Sequence, residues 1–152
     1  MDRISLRVLV DANVFIRYLL PTRQARTIES IVEAAIGRDF TLLFPADLAQ
    51  ELVDKVATKR YLTERISTEE VDRLIRLLSA VAETVSPITT PIAPAIRDLD
   101  DSYLLAYALV GQADYLVSGD ADLLVLGEVG NLKIVSPADF VRLLNLNAGK
   151  GE

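Results

Sequence analysis

The sequence contains no cysteine and no histidine among its 152 residues. Their absence excludes Ser-His-Asp and Cys-His nucleophiles, tetrahedral zinc sites built on Cys and His, and the commonest general base. Any catalysis must therefore use Asp, Glu, Lys, Tyr, Ser or Thr, or a cation held by oxygen ligands. Mg²⁺ and Mn²⁺ suit that inventory, so a carboxylate–metal site is the first candidate if the chain is an enzyme.

Long hydrophobic runs are missing as well. No run approaches the roughly 20 apolar residues that span a bilayer, and the first residues, with an acid at Asp2, do not resemble a signal peptide. The lack of cysteine also fits a reducing compartment, where disulfides are rare. We therefore expect a cytoplasmic protein with no membrane partner.

The composition is that of an ordinary globular domain, with 51% apolar and 25% charged residues. The net charge of −6 argues against a nucleic-acid partner if the acids are spread evenly over the surface. The alternative is that some acids are concentrated in a pocket that a divalent cation neutralises. Charge alone leaves both interpretations open.

Short β-rich runs alternate with amphipathic stretches along the whole chain. This alternation predicts an α/β fold, a single domain with a parallel central sheet of four or five strands and helices on both faces. We expect the domain to span residues 1–146, followed by a short tail, 147–152. The predicted strands are 7–10, 41–44, 84–88, 115–117 and 132–135, and the predicted helices include 24–36, 46–57, one opening at the Ser67 capping box, 98–110 and one beginning at Ser136.

Several acids follow strands or begin helices of this predicted sheet. Asp11 closes the first strand, and Asp120 follows the fourth predicted run by two residues. Because ligand sites in open α/β sheets form beyond the carboxyl ends of strands, both acids belong to that edge. Glu51 lies about a turn and a half into the helix after the second strand. Three further acids crowd the first turn of the helix before the next strand: Asp98, Asp100 and Asp101.

Each of these acids has a structural explanation when it is taken alone. Acids in a first helical turn favour the helix dipole by about 0.3–1 kcal/mol each, and a helical glutamate is usually solvated. Clustered acids are different, because two carboxylates ~5 Å apart repel by roughly 3 kcal/mol at an effective dielectric of 20. A cluster is therefore costly unless a cation resides there. The residues alone leave the metal site and the surface acids as alternatives.

Four segments in order resemble PIN domains. They are the opening strand and its Asp-x-Asn at 8–16 (VLVDANVFI), the glutamate segment at 49–52 (AQEL) with its sequel KRYL at 59–62, RDLDD at 97–101 with LLA at 104–106, and ADYLVSGDADLL at 113–124. The closing strand and helix start, IVSP at 134–137, also match, so the resemblance runs from about residue 7 to 144. The segments are similar to those of VapC-type proteins, the bacterial and archaeal toxin components of toxin–antitoxin pairs.

The resemblance implies site residues one by one. The catalytic and metal-binding acids would be Asp11, Glu51, Asp101 and Asp120, holding Mg²⁺ or Mn²⁺, with Asn13, Ser118 and Asp122 in support. For the third acid, Asp100 is adjacent, and some relatives place an acid where this chain has Ser102. We choose Asp101 because it shares a helix stripe with Leu105, Ala108 and Leu109, which must face the sheet.

The resemblance also implies an activity, namely endonucleolytic hydrolysis of RNA by metal-activated water. Within a toxin–antitoxin pair, the partners would be RNA and an antitoxin protein, and a homodimer is expected on resemblance alone. Nothing in the residues distinguishes RNA from single-stranded DNA. Basic residues that are candidates for phosphate contacts, although solvated surface charge is the commoner role for any one of them, are Arg17, Arg23, Arg26, Lys55, Lys59 and Arg60.

Three other functions compete with this one. A non-catalytic PIN-fold module that binds RNA or a protein would tolerate loss of any acid, and the retained quartet argues against it. A phosphatase of the haloacid-dehalogenase kind, with Asp11 as its nucleophile, has a second aspartate two residues on, where this chain has Asn13. A P-loop NTPase is excluded, because no Gly-x-x-x-x-Gly-Lys occurs.

Overall fold

The structure is a computed structural model that describes residues 6–21, 26–85 and 102–150. The strands within these ranges are β1 (Arg7–Val10), β2 (Thr41–Leu43), β3 (Tyr115–Val117), β4 (Glu128–Val129) and β5 (Leu132–Val135). The helices are α1 (Ala12–Leu19), α2 (Arg26–Ile36), α3 (Ala46–Thr58), α4 (Arg60–Thr63), α5 (Thr68–Val81), α6 (Ser102–Val110), α7 (Ala121–Leu124) and α8 (Pro137–Lys150).

The five strands form one sheet in the order β2-β1-β3-β5-β4. The first four of these are parallel, and β4 pairs antiparallel with β5. The connection from β1 to β2 runs toward one edge and the later ones run toward the other. Because parallel crossovers are almost always right-handed, this reversal places the connecting helices on opposite faces. The predicted α/β fold with a parallel central sheet is confirmed.

The centre of the sheet is buried because its strands are continuous apolar runs. Val8, Leu9 and Val10 of β1 are each 0% exposed, as expected for a parallel strand covered on both faces. Helix α2 packs against both α1 and α8, and α6 contacts β1 and β3. Edge-to-face pairs of aromatic rings, Phe15 with Phe44 and Phe40 with Phe140, fill the space between elements.

The antiparallel edge strand was not predicted, and the predicted strand 84–88 is wrong where the structure describes it. Residues 84 and 85 are outside the sheet, residues 86–88 lie outside the described ranges, and the contact with β2 is one parallel bridge between Glu83 and Leu43. The fifth strand comes instead from a hairpin. Gly130, with a φ of +60°, turns the chain between Val129 and Leu132, and glycine adopts that conformation without strain.

The amino-terminal end of β1 is anchored by a single arginine. The Arg7 guanidinium donates to both carboxylate oxygens of Glu83, at 2.8 and 2.6 Å, and to the Gly111 carbonyl at 3.1 and 2.8 Å. The hydrogen bonds from Arg7 lower the pKa of the Glu83 carboxyl below its usual value, and Glu83 in turn raises the pKa of Arg7. This anchor joins β1 to the segments that follow α5 and α6, at the edge of the sheet opposite Asp11.

Helix boundaries follow the predictions closely. The Ser67 capping box is present, with the Ser67 and Glu70 side chains each accepting from the other's backbone N–H. The helix predicted over 98–110 is observed from Ser102 to Val110, and residues 98–101 lie outside the described ranges. In the part of the chain that is described, no helix has the length and apolarity needed to cross a membrane.

Candidate active site

Asp11 is a buried carboxylate at the carboxyl end of the central strand. It follows β1 directly and caps α1, with Oδ1 accepting a 3.2 Å hydrogen bond from the backbone N–H of Asn13. Only 1% of Asp11 is exposed, although carboxylates are rarely buried without compensating partners. The side chain is therefore held in place by its surroundings before any ligand is considered.

Ser118 connects Asp11 to the next acid. Its hydroxyl, fully buried after β3, donates to Asp11 Oδ2 at 2.8 Å and accepts from the backbone N–H of Asp120 at 3.0 Å. Val10 and Val117 are paired across β1 and β3, which brings the residues that follow them to the same point of the edge. The expectation that Asp11 and Asp120 share the carboxyl edge of the sheet agrees with this geometry.

Asp120 is held by the short helix that it begins. Its side chain caps α7, with Oδ1 accepting a 2.9 Å hydrogen bond from the backbone N–H of Asp122. Asp122 itself is exposed, so its described contribution is made by its main chain. Because Asp11 and Asp120 are both N-caps, each carboxylate lies at the positive end of a helix and keeps one oxygen engaged by the backbone.

Glu51 reaches the same edge from α3, and Lys55 joins it to Asn13. Lys55 Nζ lies 2.8 Å from Glu51 Oε2 and donates a 3.0 Å hydrogen bond to Asn13 Oδ1. The Glu51 side chain is only 18% exposed. Its second oxygen, Oε1, is buried and accepts no hydrogen bond from the described residues. A buried carboxylate oxygen without a donor is costly unless a ligand uses it.

Three of the four predicted acids therefore belong to one network. Hydrogen bonds and one ion pair lead from Asp120 through Ser118 to Asp11, and from Asn13 through Lys55 to Glu51, with Asn13 N–H joining the two halves at Asp11. The third predicted acid, Asp101, and its alternative, Asp100, lie outside the described residues. Within the described ranges, no three acidic side chains lie close enough together to hold an ion.

Lys55 is the residue whose place in the network sequence reasoning missed. It was predicted only as a phosphate contact, although its position four residues after Glu51 is a readable signal for an ion pair within a helix. Its bond to Asn13 crosses 42 positions of sequence, and no local pattern predicts that contact.

The arrangement can bind a hard cation or a donor-rich ligand. Its acceptors are oxygen atoms from carboxylates and an amide, which are the ligands that Mg²⁺ and Mn²⁺ prefer. The observation that favours a bound ligand is Glu51 Oε1, which is buried and accepts no hydrogen bond from the described residues. Asp11, Glu51 and Asp120 are the described residues with suitable ligand chemistry, and in this structure the three carboxylates do not lie close enough together to hold one ion among them.

Comparison with known proteins agrees with this architecture. The family model for the PIN domain matches residues 7–122, which contain β1 to β3 and all four predicted acids. No curated protein is similar enough to count as a relative. PIN domains are generally nucleases, so a hydrolytic function on nucleic acid agrees with the acidic edge described above. The match covers most of the chain, and the protein belongs to the PIN-domain family.

Proposed function

We propose that this PIN-domain protein is a Mg²⁺- or Mn²⁺-dependent endoribonuclease. The observation that carries the proposal is the network at the carboxyl edge of the sheet, in which buried Asp11 is linked through Ser118 to Asp120 and through Asn13 and Lys55 to Glu51. A protein that only bound a partner would have no need to bury a carboxylate at this edge and to leave a second one, Glu51, with an oxygen that accepts no hydrogen bond from the described residues.

The metal ligands in this proposal are Asp11, Glu51, Asp101 and Asp120. A bound divalent ion supplies a water of lowered pKa and neutralises charge on the phosphate oxygens. Asp101 is included on the family resemblance, with Asp100 as the alternative. The mutual repulsion of several carboxylates explains why such a group favours a doubly charged partner.

The other residues of the network position these acids. Ser118 fixes one oxygen of Asp11 and the backbone of Asp120, so the relative placement of the two depends on one buried hydroxyl. Asn13 fixes the other oxygen of Asp11 through its N–H and holds Lys55 through its side chain. Asp122 contributes the N–H that orients Asp120. Such partners keep ligands in productive geometry and affect activity strongly when they are lost.

The test is cleavage of labelled RNA by the purified protein, with MnCl₂ or with EDTA. We expect cleavage with Mn²⁺ and none with EDTA, and loss of cleavage in each of four amide variants, Asp11→Asn, Glu51→Gln, Asp101→Asn and Asp120→Asn. The amides keep shape and volume while removing the charge. Asp54→Asn, an exposed acid on the same helix as Glu51, is the matched control and should cleave normally.

Three outcomes would change the proposal in different ways. Full activity in Glu51→Gln or Asp120→Asn breaks the predicted quartet. Loss in Asp100→Asn with retention in Asp101→Asn moves the third ligand by one residue. RNA binding with no cleavage under any metal condition leaves the non-catalytic binding module as the function.

We place the protein in the toxin half of a cytoplasmic toxin–antitoxin pair, as a homodimer, on the resemblance to VapC-type proteins. The antitoxin would insert an arginine or lysine beside the carboxylates through charge-assisted hydrogen bonds. The Lys55 ammonium at 2.8 Å from Glu51 supports this, because it occupies the same kind of position. Overexpression of the chain alone should arrest growth and co-expression of the partner should restore it; unaffected growth removes the toxin role and leaves the nuclease.

A further inference from the structure

A second feature lies next to the acidic network, a cleft of about 480 Å³ that the network does not use. It is lined by residues from three helices and from the loop that follows β5. The two cationic side chains in its lining are Arg17, in the last turn of α1, and Arg26, the first residue of α2. The other lining residues are Thr27, Ile28, Ser136, Pro137 and Ala138.

The charges of the cleft are unbalanced. Neither guanidinium forms an ion pair or a hydrogen bond with any residue that the structure describes, and both arginines are exposed. Arg26 is also placed where a cation is unfavourable, because the amino end of a helix already carries partial positive charge. An anionic ligand in the cleft would offset this unfavourable placement.

Two helix N-termini add to the positive potential. The cleft is lined by the first turns of α2 and α8, which have 11 and 14 residues, and free N–H groups in such turns bind anions. In α8, Pro137 has no N–H and the N–H of Asp139 donates to Ser136 Oγ at 3.2 Å, so the donor that this turn offers to the cleft is the N–H of Ala138. Each first turn also has an acid, Glu29 or Asp139, but neither lines the cleft. Asp139 is neutralised by Arg142 at 3.3 Å.

The cleft and the acidic network are neighbours on the same edge. Asn13 and Arg17 are four residues apart on the exposed side of α1, so they lie one above the other with a rise of about 6 Å. The loop after β5 is also adjacent to the network, since the backbone N–H of Ser118 donates to Val135 at 3.0 Å, immediately before Ser136. A strand bound at the acids can reach the cleft without leaving the surface.

We infer that this cleft binds one phosphate group of a nucleic-acid strand. The phosphodiester bond next to that phosphate group would lie at the acidic network. The inference rests on the proposed function, because it assigns the cleft to the same substrate. Arg17 and Arg26 supply two guanidinium groups, and the first turn of α2 and the N–H of Ala138 supply backbone donors, a combination that matches a phosphate and is not base-specific. The protein thus concentrates positive charge beside its acids despite a net charge of −6.

The test measures binding and not cleavage. Fluorescence anisotropy of a short single-stranded oligouridine is followed in millimolar MgCl₂, with Asp11→Asn present in every protein so that the RNA stays intact. The double variant Arg17→Gln/Arg26→Gln is compared with Arg73→Gln/Arg76→Gln, which removes the same charge from exposed positions of α5. Thermal melts of both verify that they are folded.

Loss of one phosphate contact has a defined signature. The slope of log affinity against log salt should fall by about 0.7, and affinity at 0.1 M salt should fall about fivefold, in the cleft variant and not in the control pair. Oligouridines with and without a 5′-terminal phosphate distinguish the source: equal losses identify a phosphate within the strand, and a loss confined to the phosphorylated version identifies a terminal one.

The contrary results are equally defined. A cleft variant that loses no more affinity than the control pair overturns the inference, and so does the absence of RNA binding by the parent protein. If the cleft variant shows the expected loss while the wild-type protein cleaves no RNA, the phosphate site stands and the ribonuclease proposal falls.

Discussion

The Ser118 hydroxyl donates to Asp11 Oδ2 at 2.8 Å across 107 positions of sequence, and both side chains are buried. This contact joins the ends of β1 and β3, so it contributes both to stability and to the placement of the acid. Hydrogen bonds to charged groups contribute about 1.5–3 kcal/mol, more than neutral ones.

Replacement of this hydroxyl should affect stability and activity together. We expect Ser118→Ala to lower the free energy of unfolding by about 1.5–3 kcal/mol, because the buried Asp11 carboxylate loses a donor. Cleavage should fall by about 10–100-fold, the usual effect of removing a partner that orients a metal ligand. Urea unfolding and a cleavage assay measure the two effects.

Ser30→Ala is the control for that substitution. The Ser30 hydroxyl donates to the Arg26 carbonyl within a helix, on the surface, so its loss should change stability by less than about 0.5 kcal/mol. If Ser118→Ala is as stable and as active as the wild-type protein, the hydroxyl does not hold Asp11 in the way described here.

Lys55 should compete with a divalent ion for Glu51. A singly charged cation about 6 Å from a divalent metal ion repels that ion by about 1.4 kcal/mol even at the dielectric of water. This repulsion lowers the affinity for the metal ion about tenfold. We therefore expect Lys55→Met to bind Mn²⁺ about tenfold more tightly, because the ion pair at 2.8 Å no longer occupies Glu51 Oε2. Calorimetric titration of the metal-free protein measures this.

Lys59→Met is the matched control for the metal titration, since Lys59 is one helical turn further along and exposed. Its effect on Mn²⁺ affinity should be clearly smaller. Weaker Mn²⁺ binding in Lys55→Met would show instead that the lysine orients Glu51 for the metal, and the competition would be refuted.

The anchor between Arg7 and Glu83 should make stability depend on acidic pH. Because the folded protein lowers the pKa of Glu83, its contribution is fully present above the unfolded value of 4.5 and is lost as pH falls through the lower folded value. The side chains are 31% and 46% exposed, so solvent screening limits the contribution to at most about 1 kcal/mol. The free energy of unfolding, measured from neutral to acidic pH, follows this change.

Glu83→Gln measures how much the Glu83 carboxyl contributes to the pH dependence of the unfolding free energy. The difference in unfolding free energy between the wild-type protein and the variant should be constant at neutral pH and should shrink below the unfolded pKa. A difference that stays constant through the acidic range would mean that the ion pair contributes nothing measurable.

Two glycines should respond in opposite ways to the addition of a methyl group. A Cβ at Gly111 would lie 2.9 Å from the Tyr107 carbonyl oxygen and 3.0 Å from Leu43 Cδ1, so Gly111→Ala should destabilise the fold by about 1–3 kcal/mol. Gly119 has open space around it, and Gly119→Ala should be neutral or slightly stabilising. Thermal melts compare the pair, and equal melting temperatures would contradict the crowding at Gly111.

Much of the architecture can be predicted from local sequence. The buried run at 8–10, the amphipathic helices and the Ser67 capping box are properties of neighbouring residues, and all are observed. The hairpin that forms β4 has a readable signal in the sequence, Gly-Asn at residues 130 and 131, between two β-rich runs. The segment predicted as a strand over 84–88 has β-rich residues, but its described part forms no strand. The nearest pairing is one bridge at Glu83, because strand formation depends on the neighbouring strands with which a segment can pair.

The sequence by itself determined which acids follow strands, and therefore that Asp11 and Asp120 lie at one edge of the sheet. Only the tertiary structure decided how they are connected. The contacts from Ser118 to Asp11 and from Lys55 to Asn13 join residues 107 and 42 positions apart, and the cleft at Arg17 and Arg26 needs three helices to converge. Such contacts depend on tertiary packing and on side-chain conformation. Neither is specified by the order of the elements along the chain or by the local periodicity of apolar residues.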